Sequence, residues 1–345
     1  MTIHRNCLAF VAVVSLLGPA WGQAPRPVRV GVLGLDNYQA VAYAQLFNDP
    51  KASGDLAGVR VVAAYPASAS PDIPESVDGL PKWKKQIAAF DVKLAHSVDE
   101  LLRGCDAVMI MSLDGRKHLE QATAVLKAGK RLYIGRPLAA SWADAVAIMK
   151  LAKESGTPCW TSSQHRFSPG FSGMRNHPEV GRVVGCDIYG GCPTEPSHAE
   201  LYWHALHSIE ALYAIMGSGC DTVRCASTPY AIAITGVWKD GRVGTYRGIK
   251  KGAVKYSATV FGDKGVSVAG IYGHGVPVKG IVPTNDRYMG YEGIAIEMAK
   301  FFKGGAVSVS AAETLEIFAF MEAAHESKRQ NGAAVRISNI LKKVQ

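Results

Sequence analysis

The chain reads as an α/β protein: a Rossmann-like doubly wound parallel sheet, followed by an α+β domain with an open, mainly antiparallel sheet. Three observations carry this reading. The first half alternates buried apolar strands with helices, a rhythm that implies a parallel sheet. After about residue 160 strands follow one another, joined by tight turns. With 345 residues, 48% of them hydrophobic, there is enough chain for two domains with proper cores.

The elements follow in order. "VRVGVLGL" (28–35) is a continuous apolar run of the kind buried on both faces of a parallel sheet. A helix through "YQAVAYAQLFND" and a strand "GVRVVAAY" (58–65) come next. The helix 97–104 carries a capping box, Ser97 with Glu100 three residues on. Strand 106–112, helix 116–129, strand 130–135 and helix 141–156 complete the first domain. In the second, strands are expected at 180–191, 221–238, 242–249, 255–263 and 265–273, with "KDGR" and "GDKG" as hairpin turns. One helix interrupts them at 199–217, and two more, 291–303 and 311–329, close the chain. The expected division is 1–24, 27–160 and 161–345.

Residues 1–24 have the layout of a secretory signal peptide: His4 and Arg5, the apolar run Leu8–Leu17, then Gly18, Pro19 and small residues. The run is too short to span a membrane, so export to the periplasm or medium without a membrane anchor is expected, with cleavage after Gly22 or Ala24. Cys7 leaves with the leader, and six cysteines remain. An oxidising compartment permits disulfides, with Cys186/Cys192 and Cys220/Cys225 the near pairs, but free buried cysteines are the plainer expectation in a domain this large. The net charge is +9, and its lysines and arginines are scattered with no nucleic-acid reading motif. That balance excludes nucleic acid as a partner and suits an anionic small molecule or oligosaccharide.

"GKRLYIGRPLAAS" (129–141) mounts Arg136 at a strand end, where open α/β sheets place their ligands. A guanidinium does not release its proton, its pKa lying above about 12, but it grips a carboxylate, sulfate or phosphate with two prongs. Arg136 therefore reads as an anion clamp; the alternative is a structural arginine bonded to nearby carbonyls. In "ELYWHALHSIEAL" the residues Glu200, His204 and His207 fall at i, i+4 and i+7, so a continuous helix puts them on one face. Such a set suits acid–base work, His207 leading, or a divalent metal; a plain hydrogen-bonded face is the alternative. His198 and His165 are expected to converge on it. Asp114, Arg116 and His118 follow the strand 106–112, at the sheet edge where ligands sit, and Asp114, His118, Gln164, His165 and Arg166 are candidates to meet substrate. Tyr202 is a weaker substrate candidate, and Asn176, His177 and Lys279 are weaker still.

The phrases "HLEQATAVLKAGKRLYIGRPLA" (118–139), "VWKDGRVGTYRG" (237–248), "VFGDKGV" (260–266) and "EAAHESKRQNGAAVRI" (322–337) resemble the Gfo/Idh/MocA superfamily, named for glucose–fructose oxidoreductase, inositol dehydrogenase and rhizopine catabolism. The resemblance spans residues 28–337. It implies a nicotinamide-binding Rossmann domain, an open sheet that often pairs two subunits, and chemistry on sugars or polyols. It also implies that Gly34, Leu35, Asp36, Asn37, Ser112 and Pro137 line the cofactor, and that Gln164 and Arg166 lie near the substrate pocket.

The chain departs from that pattern in four places. Its phosphate loop "GVLGLDNYQA" keeps Gly34 but sets Asp36 and Tyr38 where a pyrophosphate would lie. The second strand ends in Tyr65 and Pro66, with no carboxylate for ribose hydroxyls. The usual E-K-P turn is Gly135-Arg136-Pro137, and the aspartate of the usual Asp-x-x-x-His is Trp203, His207 matching the histidine. Three functions compete: an NAD(P)-dependent sugar oxidoreductase with an atypical loop; a carbohydrate enzyme working on an anionic sugar by elimination, hydrolysis or epimerisation; and an inactive sugar-binding or partner protein. Persistent titratable groups beside degraded nucleotide contacts favour the second.

Overall fold

The computed structural model describes residues 26–342 apart from 176 and 271–289. The leader expected at 1–24, Asn176 and Lys279 lie outside the described residues. The first sheet is built by β1 (Val28–Leu33), β2 (Val59–Tyr65), β3 (Lys93–Leu94), β4 (Ala107–Ile110), β5 (Arg131–Ile134) and β6 (Cys159–Thr161), all parallel, in the order β3-β2-β1-β4-β5-β6. The order reverses at β1, so β1 and β4 flank the crevice where such sheets bind ligands.

Helices cover both faces. On one lie α3 (Val98–Gly104), α4 (His118–Lys127) and α5 (Trp142–Ser155); on the other lies α1 (Tyr38–Phe47), with α2 (Pro74–Ile87) beside it. Period-2 alternation decides which side chain goes where: Val30 and Val32 face α1, Leu33 faces the α4 side. The capping box holds in a displaced form, Ser97 Oγ accepting the Glu100 N–H at 3.1 Å while the Glu100 carboxylate reaches the N–H of His96.

The second sheet begins after the short α6 (Pro169–Ser172). It contains β7 (Val183–Gly191), β8 (Cys220–Ser227), β9 (Ala231–Trp238), β10 (Val243–Ile249), β11 (Ser257–Gly262), β12 (Val266–Gly270) and β13 (Val335–Arg336), ordered β12-β11-β7-β10-β9-β8-β13. Among the described residues the β10–β7 pair is parallel and the other pairs of this sheet are antiparallel. The run 221–238, expected as one strand, is two, because the turn through Pro229 folds β9 back on β8. α7 (Ala205–Met216) and α9 (Ala311–Arg329) cover one face, and α10 (Ile337–Lys342) follows β13. α8 (Glu292–Phe302) returns to the first sheet, where Phe301 and Phe302 pack edge-on against Trp160 and Phe47.

Five elements were not expected from sequence: α2, the two-residue β3, α6, β13 and α10. The six cysteines in the described residues are buried and free, as the plainer expectation had it. No helix among the described residues is long and apolar enough to cross a membrane.

Candidate active site

The β1–α1 turn stands at the crevice. Gly34 has φ of +94°, and a Cβ there would fall 2.3 Å from Ser112 Oγ, so only glycine fits. Its N–H bonds the Tyr65 carbonyl, and that of Leu35 bonds Pro66. Asn37 caps α1 by accepting the Gln39 N–H at 3.0 Å. A G-x-G-x-x-G turn starting at Gly34 would set glycines at 36 and 39; here these are Asp36 and Gln39. The Asp36 carboxylate is buried, accepting the Ser76 O–H at 2.5 Å and the Leu113 N–H at 2.9 Å. Gln39 donates to Gln164 Oε1 at 3.2 Å, tying α1 to the turn after β6. These groups do not fit a pyrophosphate: an acidic side chain already occupies the turn and binds the Ser76 and Leu113 donors, leaving Asn37 Nδ2 as a buried donor without a partner.

The loops after β2 and β4 are fastened to each other. Ser70 donates to Asp114 at 2.6 Å, Arg116 grips Asp114 and Asp72 together, and Lys117 reaches the Ser68 carbonyl. Burial alone would raise the Asp114 pKa, but the Arg116 guanidinium and the Ser70 hydroxyl hold it well below the carboxylate range. His118 sets its two ring nitrogens against the carbonyls of Leu138 and Ser112, at 3.2 and 2.9 Å. Asp114 and His118, expected to meet substrate, are therefore loop fasteners. So is His198, whose Nε2 accepts the Gly115 N–H at 3.0 Å.

Arg136 is the contrasting case. Its side chain is about nine-tenths buried, yet Nε and Nη1 have no hydrogen-bond partner. The structural-arginine alternative, which needs carbonyl partners for these atoms, is not met. The guanidinium carbon lies 5.5 Å from the ring centroid of Trp203, and burial lowers its pKa. Arg136, Trp203 and His204 line one side of a cavity of about 340 Å³; Asp36, Tyr38, Glu75 and Trp83 line the other.

Behind Arg136 is a histidine cluster. His165 and His207 lie 4.5 Å apart between ring centroids, His204 and His207 5.7 Å, and Tyr256 packs 4.5 Å from His165. His207 Nδ1 is 2.7 Å from Ser163 Oγ, and His165 Nδ1 is buried without a partner. All three imidazoles are held neutral, chiefly by burial and then by nearby positive groups: His165 and His204 fall to about 3, and His207 falls well below its ordinary value.

Several expected members of the site are elsewhere. Glu200 does not share a helix face with His204 and His207, because it lies on a separate 3-10 turn, Glu200–Tyr202, and α7 begins only at Ala205. Its carboxylate pairs with Lys250 and Lys328. The metal set Glu200, His204 and His207 is thus not formed, and among the described residues no three such groups are arranged to hold a metal. Arg166 is spent on Glu210 and Glu313, and buried Glu210 is pushed up to about 7 chiefly by desolvation. Tyr202 packs on Phe318 and His325, inside the second domain. Of the outlying histidines His165 converges and His198 does not.

Sequence reasoning missed Trp203 as the wall over Arg136, Ser76 as the partner of Asp36, and all of α2. Pro74 at the first helical turn with Glu75 behind it was a readable start signal; Pro81 inside the same helix obscured it.

Residues 28–163 match the family described as "Oxidoreductase family, NAD-binding Rossmann fold". The chain is 30% identical over 147 residues to 4-carboxy-2-hydroxymuconate-6-semialdehyde dehydrogenase of Sphingobium sp., covering 42% of this chain and 44% of that protein. It is 33% identical over 110 residues to a myo-inositol dehydrogenase of Streptomyces leeuwenhoekii, covering 31% and 34%. The matched stretch thus spans less than half the length of either relative. Among solved structures, apo scyllo-inositol dehydrogenase from Lactobacillus casei superposes with a TM-score of 0.70 at 14% identity, over 92% of this chain and 100% of that one. An oxidoreductase from Agrobacterium radiobacter gives 0.67 at 15% identity, over 91% and 99%. At these identities the likeness is one of fold.

Proposed function

Starting from a chain that belongs to the Gfo/Idh/MocA oxidoreductase superfamily, we propose an exported carbohydrate-processing enzyme that acts on an anionic sugar by acid–base chemistry, not by ordinary nicotinamide hydride transfer. One observation carries the reading: a buried guanidinium with two unpaired nitrogens, beside neutral histidines. A buried charge without a counterion is costly, and a ligand carboxylate supplies the missing partner.

The chemistry this suits best is proton abstraction from the carbon next to the held carboxylate. His204, which lines the cavity, takes the proton. The electron pair moves into the carboxylate as an enediolate, whose charge Arg136 stabilises. Ser163 Oγ accepts the backbone N–H of His165 and pairs with His207 Nδ1 at 2.7 Å, which holds the His207 ring beside His204. His204, now an imidazolium, gives that proton to a leaving oxygen on the next carbon, which returns the base to its neutral form and completes an elimination. Arg136 is one of the groups depressing the pKa of His204 and His165, so a bound carboxylate raises their basicity when substrate arrives.

The test is incubation of the mature protein with uronate-containing oligosaccharides in D2O, with products read by mass spectrometry. Deuterium beside the carboxylate, or an unsaturated product, is expected. Full turnover by a His204→Ala/His207→Ala protein would remove the basis of the reading. A nicotinamide-dependent oxidoreductase is the second reading, favoured by the retained Gly34 turn against Ser112. The same proposal includes a homodimer through the outer face of the second sheet, where Val237, Val243, Val266 and Val268 are exposed. Light scattering of Val243→Lys protein checks it, a monomer being the expected result.

A further inference from the structure

We infer that Asp36 is a built-in substitute for a dinucleotide's pyrophosphate, so that the β1–α1 turn of this chain takes neither NAD nor NADP. In a βαβ nucleotide site the pyrophosphate sits over the helix N-terminus, and the second glycine of the turn lets the backbone approach it. That position is Asp36, whose carboxylate points inward and is 3% exposed. It already receives a hydroxyl from α2, Ser76, and a backbone N–H from the loop after β4, Leu113.

Three further features agree, each from a different element. Asn37 uses its side chain on the Gln39 N–H, so one donor at the helix start is consumed inside the protein. α2 lies directly over the turn: a Cβ on Gly79 would stand 2.7 Å from the Asp36 carbonyl oxygen, and Trp83 packs on Tyr38 with ring centroids 5.1 Å apart. The end of β2 offers Tyr65 and Pro66 in place of a ribose-binding carboxylate, and the loop beyond it is fastened to the β4 loop by Ser70–Asp114 and Asp72–Arg116. What remains open is a space of about 340 Å³, at the small end for ligand pockets and suited to one sugar ring.

The inference stands apart from the acid–base reading, since the histidines play no part in it. The test uses the full mature chain as wild type, Asp36→Gly and Asp36→Ser, titrated with NADH and NADPH by fluorescence and by native mass spectrometry. Asp36→Ser keeps a hydroxyl for the Leu113 N–H while removing the charge, so it serves if the glycine variant fails to fold. Wild type is expected to show no saturable binding up to the highest NADH concentration reached, and a folded variant to saturate with a dissociation constant at least about tenfold below that concentration, as loss of an opposing charge allows. A stoichiometric nucleotide on wild type, or folded variants that bind no better than wild type, would overturn the inference. Neither result bears on turnover of an anionic sugar, which the D2O experiment decides separately.

Discussion

The two sides of the crevice treat charge in opposite ways. On the β1–α1 side Asp36, Asp72, Asp114 and Arg116 all have partners within the chain, drawn from three loops and α2. On the Arg136 side a buried guanidinium is unpaired, and the imidazole behind it, His165, keeps a nitrogen unbonded. A folded protein satisfies its buried polar groups unless something else does so. The β1–α1 side leaves neutral amide atoms unbonded, Asn37 Nδ2 and Gln39 Oε1, whereas the Arg136 side leaves a buried charge unpaired, and that is where an anionic ligand is expected.

The sharpest way to break this comparison is through the histidines. His204→Gln is expected to lower kcat by about 10²–10⁴, the usual worth of a positioned acid or base, with KM nearly unchanged. Steady-state kinetics on the uronate substrate check it. Next comes Arg136→Met, which should weaken binding of a uronate by roughly 30–1,000-fold, the cost of removing one member of a buried ion pair. The same variant should melt higher, because an uncompensated buried charge has gone. Calorimetry with glucuronate and a thermal melt read the two signs together, and a structural arginine would lower both.

Asp114→Asn tests the closed side. It should cost about 2 kcal/mol of stability, discounted because its partner Arg116 is 40% exposed, and leave turnover unchanged. Urea unfolding beside an activity assay separates the two.

The smallest effect is in pH. His165 and His204 have folded pKa values depressed from 6.5 to about 3. Their contribution to stability is present above pH 6.5 and is lost as pH falls towards 3, because the unfolded chain binds protons first. Glu210, raised from 4.5 to about 7, acts in the opposite sense: its contribution is full below 4.5 and is lost as pH rises through 7. Melts across this range should show His165→Asn flattening the acid limb and Glu210→Gln flattening the neutral one.

Sequence alone determined the alternation of the longer strands and helices, because apolar runs and turn residues impose their periods locally, while short elements such as β3 and α6 left too little pattern to read. It also marked Arg136 and the loss of the phosphate-loop glycines, since single residue types at a βα turn have few permitted roles. It misread the stretch 199–217, where periodicity joined Glu200 to the histidines; the chain breaks at Trp203, whose ψ of −100° is not helical, and Glu200 goes to Lys250 and Lys328 instead. Tertiary structure alone decided which polar groups are spent. Asp36 and Asp114 find their partners on other loops, whereas Arg136 finds none, and such pairings join residues 40 to 80 positions apart that no local pattern can match.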